Sequence, residues 1–316
     1  MKVIQFLALQ EPRLTARLAQ ASAALDAVVV LDLEDALWDV TDESRTAGLK
    51  AEGRRSLLAL ARDRRDLFAR QRMGVRLNRW SSPESILDLA AIAEASRTVE
   101  FDTLVVTKVE TELDLTEWVA ALRRHGVAYR SLVPIVETRA GIDNLEAIAQ
   151  GALRAGIEWL VYGHWDFALD SGWWPVPDHD HVVFWRHVEP LIERIEGLGL
   201  GYVHPPSFQL ADMVRFGSIL SRLRATCRRE FGILTIGTPQ TTFASTSPRS
   251  DTRGGEWLLP ADEPETATEH ATRIVRTFTA NKRPNLSFAV DVPRREFISP
   301  HIFLAARDYL ARAAGG

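Results

Sequence analysis

Eight short apolar runs alternate with longer amphipathic stretches along most of this 316-residue chain. The run at 27–31 (Ala-Val-Val-Val-Leu) has no polar alternation, which is typical of a parallel strand covered on both faces. Helical patterns separate the runs, and the residues at 81–84 and 111–114 are typical of helix starts. Eight strands separated by helices predict a (β/α)8 TIM barrel. The predicted strands cover about residues 3–9, 27–32, 73–78, 103–107, 131–137, 157–162, 200–204 and 231–237, with helices at about 13–25, 44–60, 83–95, 112–124 and 141–154.

A doubly wound sheet is the main competing fold. It would place a Gly-rich phosphate-binding turn directly after its first strand, but residues 9–12 read Leu-Gln-Glu-Pro. Gly197, Gly199 and Gly201 have the spacing of a nucleotide fingerprint, but they follow a helix and precede a strand, which is the wrong order. The barrel is therefore favoured, and we assign residues 1–243 to it.

The C-terminal part of the chain does not continue the barrel repeat. Residues 244–264 are rich in Gly, Pro, Ser and Thr and predict a loop or linker. Residues 265–316 contain two further predicted helices, at about 265–279 and 300–314. We expect this helical appendage to pack on a barrel mouth or on a neighbouring subunit, whose active site it can help to complete.

Composition and charge exclude several classes of function. The formal net charge is −4 and acidic and basic residues are interspersed, so no nucleic-acid partner is expected. The single cysteine, Cys227, excludes an internal disulfide framework and fits a reducing compartment. No apolar stretch has the roughly 18–20 residues that a membrane-spanning helix needs, and the first residues do not have the pattern of a signal peptide. We therefore expect a cytoplasmic protein without a membrane partner.

Polar side chains recur where the predicted strands end. In a parallel barrel these ends meet at one mouth, which is where active sites are built. The carboxylates suit a hard cation such as Mg²⁺, and the absence of paired Cys or His ligands argues against Zn²⁺. The residues at the strand ends are Asp32, Glu34, Asp35, Arg76, Asn78, Lys108, Glu110, Glu137 and Asp166.

Five short motifs, in their order along the chain, resemble those of the citrate lyase β-subunit-like branch of the HpcH/HpaI aldolase superfamily. The resemblance is strong over predicted strands two to six, continues more weakly through the last strand at 230–236, and returns at 298–301 (Ile-Ser-Pro-His). The 29-residue interval between Glu137 and Asp166 is similar to the spacing of that family's two magnesium-binding carboxylates. The motifs are 32–36 (Asp-Leu-Glu-Asp-Ala), 76–78 (Arg-Leu-Asn), 107–110 (Thr-Lys-Val-Glu), 137–141 (Glu-Thr-Arg-Ala-Gly) and 163–166 (Gly-His-Trp-Asp).

The resemblance implies a function and a role for each matched residue. Glu137 and Asp166 would bind Mg²⁺, and Arg76 would hold the substrate carboxylate or a developing oxyanion. Glu34 and Asp35 would orient Arg76 and the metal-bound waters or help to move a proton. The implied chemistry is carbon–carbon cleavage of a hydroxy-acid thioester, such as a CoA thioester, or of a related 2-oxo acid aldol. A homo-oligomer, a trimer or a hexamer, is also implied.

Two departures from the family pattern bear on the substrate. Residues 5–10 (Gln-Phe-Leu-Ala-Leu-Gln), in and just after the first predicted strand, have no Arg to hold a CoA thioester. Residues 236–240 (Ile-Gly-Thr-Pro-Gln) lack the His of the family's last-strand signature. A CoA thioester, another thioester and a free oxo acid therefore remain open as substrates. Two other functions also remain open: an acyl-CoA thioesterase that uses the same metal site, and a non-catalytic binding or scaffold barrel.

Several other residues have a structural interpretation beside a functional one. His204 ends the seventh predicted strand, where a structural role is favoured over contact with substrate. Residues 178–181 (Asp-His-Asp-His) have the composition of a metal site, but the Pro-rich surroundings predict a solvated loop. Trp165, Trp173 and Trp174 either cover the substrate or pack against the Pro-rich loop.

Overall fold

The eight predicted strands form a closed parallel barrel in which each strand pairs with its neighbours in chain order. The structure is a computed structural model that describes residues 1–9, 15–17, 19, 25–247, 265–282 and 287–315. The first strand pairs with both the second and the eighth, which closes the sheet, so the predicted (β/α)8 TIM barrel is confirmed. The strands are β1 (Lys2–Ala8), β2 (Val28–Asp32), β3 (Met73–Leu77), β4 (Phe101–Val106), β5 (Tyr129–Val136), β6 (Trp159–Tyr162), β7 (Gly201–His204) and β8 (Gly232–Thr235).

Helices surround the barrel between successive strands. The predicted helix starts are confirmed, since Ser82 and Thr111 accept hydrogen bonds from the first turns of the helices Pro83–Ala95 and Glu112–Arg124. The predicted helix at 13–25 falls mostly outside the described residues. After a short 3₁₀ helix (Asp35–Leu37), the helices are α1 (Glu43–Asp63), α2 (Arg65–Arg70), α3 (Pro83–Ala95), α4 (Glu112–Arg124), α5 (Arg139–Asp143), α6 (Leu145–Arg154), α7 (His164–Ser171), α8 (Val182–Gly197), α9 (Met213–Thr226) and α10 (Thr238–Thr246).

The alternation of side chains along each strand determines what reaches the barrel mouth. Val28 and Val30 belong to the apolar cluster inside the barrel, whereas Val29 and Leu31 pack with the larger cluster beneath the helices. Continuing the period of two from Val30 aims Asp32 inward at the carboxyl end of β2. The same period brings Arg76, Glu137 and Ile236 to the mouth after Gly74, Ile135 and Leu234.

The C-terminal elements pack against the mouth of their own barrel. They are α11 (Ala267–Asn281), the antiparallel strands β9 (Ala289–Asp291) and β10 (Glu296–Ile298), and α12 (Pro300–Gly315). Their side chains form a second apolar cluster that includes Ala168 of α7 and Phe208 of the loop after β7. The predicted linker begins within α10, and its residues 248–264 lie outside the described part of the chain. No helix among the described residues is long and apolar enough to cross a membrane.

Candidate active site

A cavity of about 280 Å³ opens at the carboxyl ends of the strands. Side chains from β1, β2, β3, β5 and β8 reach it, together with the loops after β6 and β7. The C-terminal hairpin and the start of α12 supply another wall. Of the candidate residues at the strand ends, Asp32, Asp35, Arg76, Glu137 and Asp166 line this cavity, whereas Asn78, Lys108 and Glu110 do not. Glu34 lies behind it in contact with Arg76. The charged side chains that line it are Asp32, Asp35, Arg76, Glu137, Asp166 and His301.

Arg76 is held in one orientation by three carboxylates. Its Nε donates to Asp32 Oδ1 at 2.9 Å, and its Nη2 donates to the other oxygen of the same carboxylate. Its Nη1 donates to Asp35 Oδ2 at 3.0 Å and lies 3.2 Å from Glu34 Oε2. Despite burial, these neighbours raise the pKa of Arg76 well above its ordinary value. The guanidinium also lies 4.6 Å from the ring centre of Phe6, so its plane is fixed.

Asp32 has an anchoring function in this geometry. Its carboxylate accepts hydrogen bonds from the backbone N–H groups of Glu34 and Ala36, at 2.8 and 3.1 Å, as well as from Arg76. Both oxygens are therefore engaged in fixing the loop after β2 and the neighbouring guanidinium. The loop in turn sets the positions of Glu34 and Asp35.

Lys108 lies at the centre of the carboxylate cluster. Its Nζ is 2.9 Å from Asp166 Oδ1 and 3.7 Å from Asp35 Oδ1, and it donates a short hydrogen bond to Glu34. The backbone of Lys108 has a positive φ of 52°, which is uncommon for a residue other than glycine. Its backbone N–H donates to Glu137 Oε1 at 2.9 Å. Lys108 therefore connects four of the acidic groups, and these neighbours, against the effect of burial, raise its pKa.

Glu137 follows β5 and Asp166 lies in the first turn of α7, after β6, so the two carboxylates are close enough to interact electrostatically. Glu137 is buried, and burial together with the nearby Asp166 raises its pKa well above the ordinary value. Gly163 makes room for it, because a Cβ at that position would lie 2.3 Å from Glu137 Oε2. Although burial opposes it, His301 and Lys108 lower the pKa of Asp166. The two carboxylates are thus adjacent but differ in their affinity for a proton.

His301 is the site residue to which sequence analysis gave no role. It follows the first residue of α12, and its Nε2 lies 3.0 Å from Asp166 Oδ1 and 3.5 Å from Asp35 Oδ1. Burial acts against the charged imidazole, but Asp166 and Asp35 raise its pKa to about 10, so it carries a positive charge at neutral pH. The motif at 298–301 resembled the family's tail, which was the available signal. The sequence could not show that this tail folds back onto its own barrel.

The donor set fits a divalent cation. Five carboxylates (Asp32, Glu34, Asp35, Glu137 and Asp166) face three bases (Arg76, Lys108 and His301), which leaves an excess of two formal negative charges. Carboxylate oxygens are the ligands that Mg²⁺ prefers. Within the described residues, Asp35, Asp166 and His301 form a group whose potential ligand atoms lie within 4.8 Å of one another; the charged His301 would have to lose its proton to bind a metal, whereas the two carboxylates can bind directly. Asp166 belongs both to this group and to the ligand pair that the resemblance implies, whereas Glu137 is outside the group.

The segment at 178–181 is not the solvated loop that its composition predicts. His179 is fully buried, and its ring packs 4.9 Å from that of His204 and 5.4 Å from that of His164. His204 faces away from the cavity and shares a hydrogen bond of 3.2 Å with the hydroxyl of Tyr202. Burial lowers the pKa of His164 and His204 to about 3 and holds that of His179 well below its ordinary value. All three histidines are neutral packing groups, and of the three His164 also lines the cavity.

The three tryptophans have different surroundings. Trp165 lines the cavity and stacks 5.1 Å from the ring of Phe208. Trp173 and Trp174 instead pack with the C-terminal elements, and Trp174 Nε1 donates to the carbonyl of Ala267 at 3.0 Å. Only Trp165 among these three is placed to contact a ligand in the cavity.

Comparisons with known proteins agree with this architecture. A sequence model of the HpcH/HpaI aldolase/citrate lyase family matches residues 2–203. A search of curated protein sequences found no match. At 17–19% identity, the following structural likenesses show the fold.

RipC from Yersinia pestis is 19% identical, with a TM-score of 0.55 over 78% of this chain and 95% of that chain. The citrate lyase β subunit from Mycobacterium tuberculosis, complexed with oxaloacetate and magnesium, is also 19% identical, with a TM-score of 0.55 over 78% of this chain and 96% of that chain. The protein CitE from the same organism, in complex with magnesium, acetoacetate and coenzyme A, is 17% identical, with a TM-score of 0.54 over 99% of this chain and 98% of that chain.

Proposed function

Because this chain belongs to the HpcH/HpaI aldolase/citrate lyase family, we propose that it is a Mg²⁺-dependent carbon–carbon lyase. Its substrate would be a hydroxy-acid thioester or a related 2-oxo acid aldol. The observation that carries this proposal is the buried carboxylate cluster beside Arg76, at the mouth where barrel enzymes perform chemistry. The magnesium complexes of the Mycobacterium tuberculosis protein add support.

Glu137 and Asp166 are the proposed metal-binding residues. When bound, Mg²⁺ would supply Lewis-acid stabilisation of the negative charge that develops on a substrate oxygen as the carbon–carbon bond breaks. Lys108 and His301 lie against the same oxygen of Asp166, Oδ1, at 2.9 and 3.0 Å. They position this carboxylate and offset its charge from two sides.

Arg76 is the proposed contact for the substrate carboxylate. A guanidinium has five N–H groups, of which three donate to Asp32 and Asp35 and a fourth faces Glu34. The remaining donor and the positive charge are available to an acidic ligand in the cavity. Because Asp32 fixes the guanidinium before a substrate arrives, little further ordering is needed for binding.

The cluster favours an enzyme over a scaffold barrel. Buried ion networks contribute little or nothing to stability compared with well-packed apolar side chains, so they are weak evidence for a purely structural role. Strongly shifted pKa values in a cleft, as at Glu137 and His301, are typical of functional sites.

A thermal-shift titration tests the proposal. Wild type and Glu137→Ala are measured with Mg²⁺ alone and with Mg²⁺ plus glyoxylate, pyruvate or oxaloacetate. Glu100→Ala is the matched control, since Glu100 is half exposed at the opposite end of the barrel. We expect Mg²⁺ and acid to raise Tm in wild type and in the control but not in Glu137→Ala. Equal responses of all three proteins would contradict the proposed metal site.

Product analysis with acetyl-CoA separates the lyase from the thioesterase. A lyase running in reverse joins the acyl group to an oxo acid and forms a new carbon–carbon bond. A thioesterase releases free CoA without requiring an oxo acid. CoA release that is independent of glyoxylate and forms no condensed product would favour the thioesterase.

A further inference from the structure

The cavity at the mouth has two chemically different ends. The charged side chains described above gather at one end, around Arg76 and Asp166. Most of the remaining wall is apolar and comes from four separate parts of the chain. Its main residues are Phe6, Leu210, Leu234, Ile236, Phe288 and Phe297.

Aromatic packing and backbone hydrogen bonds hold the apolar wall together. Phe288 and Phe297 belong to the C-terminal hairpin, with ring centres 4.8 Å apart, and Phe297 also stacks 5.4 Å from Trp165. Backbone hydrogen bonds join this hairpin to the loop after β7: the N–H of Phe297 donates to Phe208 at 2.9 Å, and that of Leu210 donates to Arg295 at 3.1 Å. The wall is therefore continuous across elements that are distant in sequence.

The distribution of charge constrains the ligand. Within the described residues, the charged side chains that line the cavity all lie at the carboxylate-rich end, His164 is neutral because burial lowers its pKa to about 3, and the apolar wall offers no cation for a phosphate group. Ligand pockets are characteristically apolar with a few polar groups that orient the ligand. A ligand with a carboxylate head and an apolar tail matches both ends, with the head at Arg76.

We propose that the apolar end is a substrate subsite and that the substrate is a free 2-oxo acid aldol (a 4-hydroxy-2-oxo acid) with an alkyl or aryl chain, for which simple 2-oxo acids serve as binding analogues. This inference rests on the proposed function, because the lyase site supplies the head-group contacts. The volume agrees with it. A cavity of about 280 Å³ is close to the lower end of the roughly 300–1,000 Å³ of small-molecule pockets, which suits a small acid such as 4-methyl-2-oxopentanoate.

Calorimetric titration of a chain-length series in the presence of Mg²⁺ tests the subsite. The ligands are pyruvate, 2-oxobutanoate and 2-oxopentanoate, with oxaloacetate as a similarly sized acid whose tail is charged. We expect Kd to fall about fourfold for each added methylene, as burial of apolar surface predicts. Oxaloacetate should bind more weakly than 2-oxopentanoate. A Kd that is flat or rises with chain length, or tighter binding of oxaloacetate or acetyl-CoA, would overturn the proposal.

A pair of variants assigns the preference to this wall. Ile236→Asn places an amide in the apolar end, and Leu153→Asn makes the same type of change at a half-exposed position near the C-terminal end of α6, on the opposite face of the barrel. We expect the ratio of the pyruvate Kd to the 2-oxopentanoate Kd to shrink severalfold in Ile236→Asn and to stay at the wild-type value in Leu153→Asn. An unchanged ratio in both variants would contradict the assignment.

The two proposals fail in different ways. If pyruvate binds only with Mg²⁺ and only when Glu137 is present, but chain length has no effect, the subsite is wrong and the lyase proposal is retained. If no acid binds and Glu137→Ala behaves as wild type, the proposed function itself is wrong. The wild-type ligand series decides the question even if Ile236→Asn does not fold.

Discussion

Replacing Gly163 by alanine tests whether the space beside Glu137 is essential to the site. Gly163 lies between β6 and α7, where its φ of −98° is accessible to any residue. Backbone conformation therefore does not oppose the substitution. The obstacle is contact, because the added Cβ would lie 2.3 Å from Glu137 Oε2 and 2.4 Å from Glu137 Cβ. The second contact involves an atom fixed to the backbone, so rotation of the Glu137 side chain cannot relieve it alone.

The expected loss of stability follows from this overlap. Forcing additional atoms into a packed interior costs about 1–3 kcal/mol, and Gly163→Ala should lower the free energy of unfolding by that amount. Displacement of Glu137 should also remove metal binding. At a Mg²⁺ concentration 100 times Kd, a specific site adds about 2.7 kcal/mol, and we expect this increment in wild type but not in Gly163→Ala.

Denaturant unfolding with and without Mg²⁺ measures both effects. Gly48→Ala is the matched control: Gly48 lies within α1, and a Cβ there meets nothing within 4 Å. It should leave the metal response intact and stabilise the protein by about 0.5–1 kcal/mol, since alanine is the better helix residue. If Gly163→Ala is as stable as wild type and keeps the full response to Mg²⁺, the packing argument for Glu137 is refuted.

Two further predictions concern buried charges. Lys108→Met should destabilise the metal-free protein by about 3–5 kcal/mol, because three carboxylates lose their shared cation. Mg²⁺ should restore part of that loss in urea titrations. The exposed Arg130→Met should remain close to wild type in stability, so equal effects of the two changes would contradict the role given to Lys108. His179→Phe should reduce sensitivity to acid: burial holds the pKa of His179 well below 6.5, so the unfolded chain binds a proton that the folded chain does not, and stability falls as pH decreases below about 6.5. Between pH 6 and 4, the free energy of unfolding of the variant should fall by about 1.4 kcal/mol less per pH unit than that of wild type. A slope equal to wild type would show that His179 is not buried in its neutral form. Asp178, whose pKa is raised to about 7 and whose effect on stability has the opposite sign, is present in both proteins and does not affect the comparison.

The barrel and half of its charged mouth could be predicted because their signals are local. Apolar runs gave the strands, and the period of two after a buried valine or isoleucine placed Asp32 and Glu137 at the mouth. Motifs of three to five residues identified which side chains act together at the mouth. The geometry of a parallel barrel is enough to predict that these positions converge, since the carboxyl ends of its strands meet at one mouth.

The remainder depended on long-range packing. His301 lies more than 130 residues from Asp166 in sequence, and its contact requires the C-terminal segment to fold back over the mouth. The strands β9 and β10 have three residues each, too few for a periodic pattern. Lys108 reaches the centre of the cluster with a positive φ, which the sequence does not predict for a lysine. Burial of His179 was missed because polar composition predicts solvent exposure, whereas aromatic packing decides it.

The most direct test of the central proposal is detection of the new carbon–carbon bond by ¹³C NMR. Isotopically labelled glyoxylate is incubated with the protein, Mg²⁺ and either pyruvate or acetyl-CoA as the donor. The same mixture is then measured without metal and with Asp166→Asn. We predict that a condensed product appears with at least one donor, in wild type and only with Mg²⁺. Failure to form a bond with either donor, or equal product formation by Asp166→Asn, would contradict the proposal.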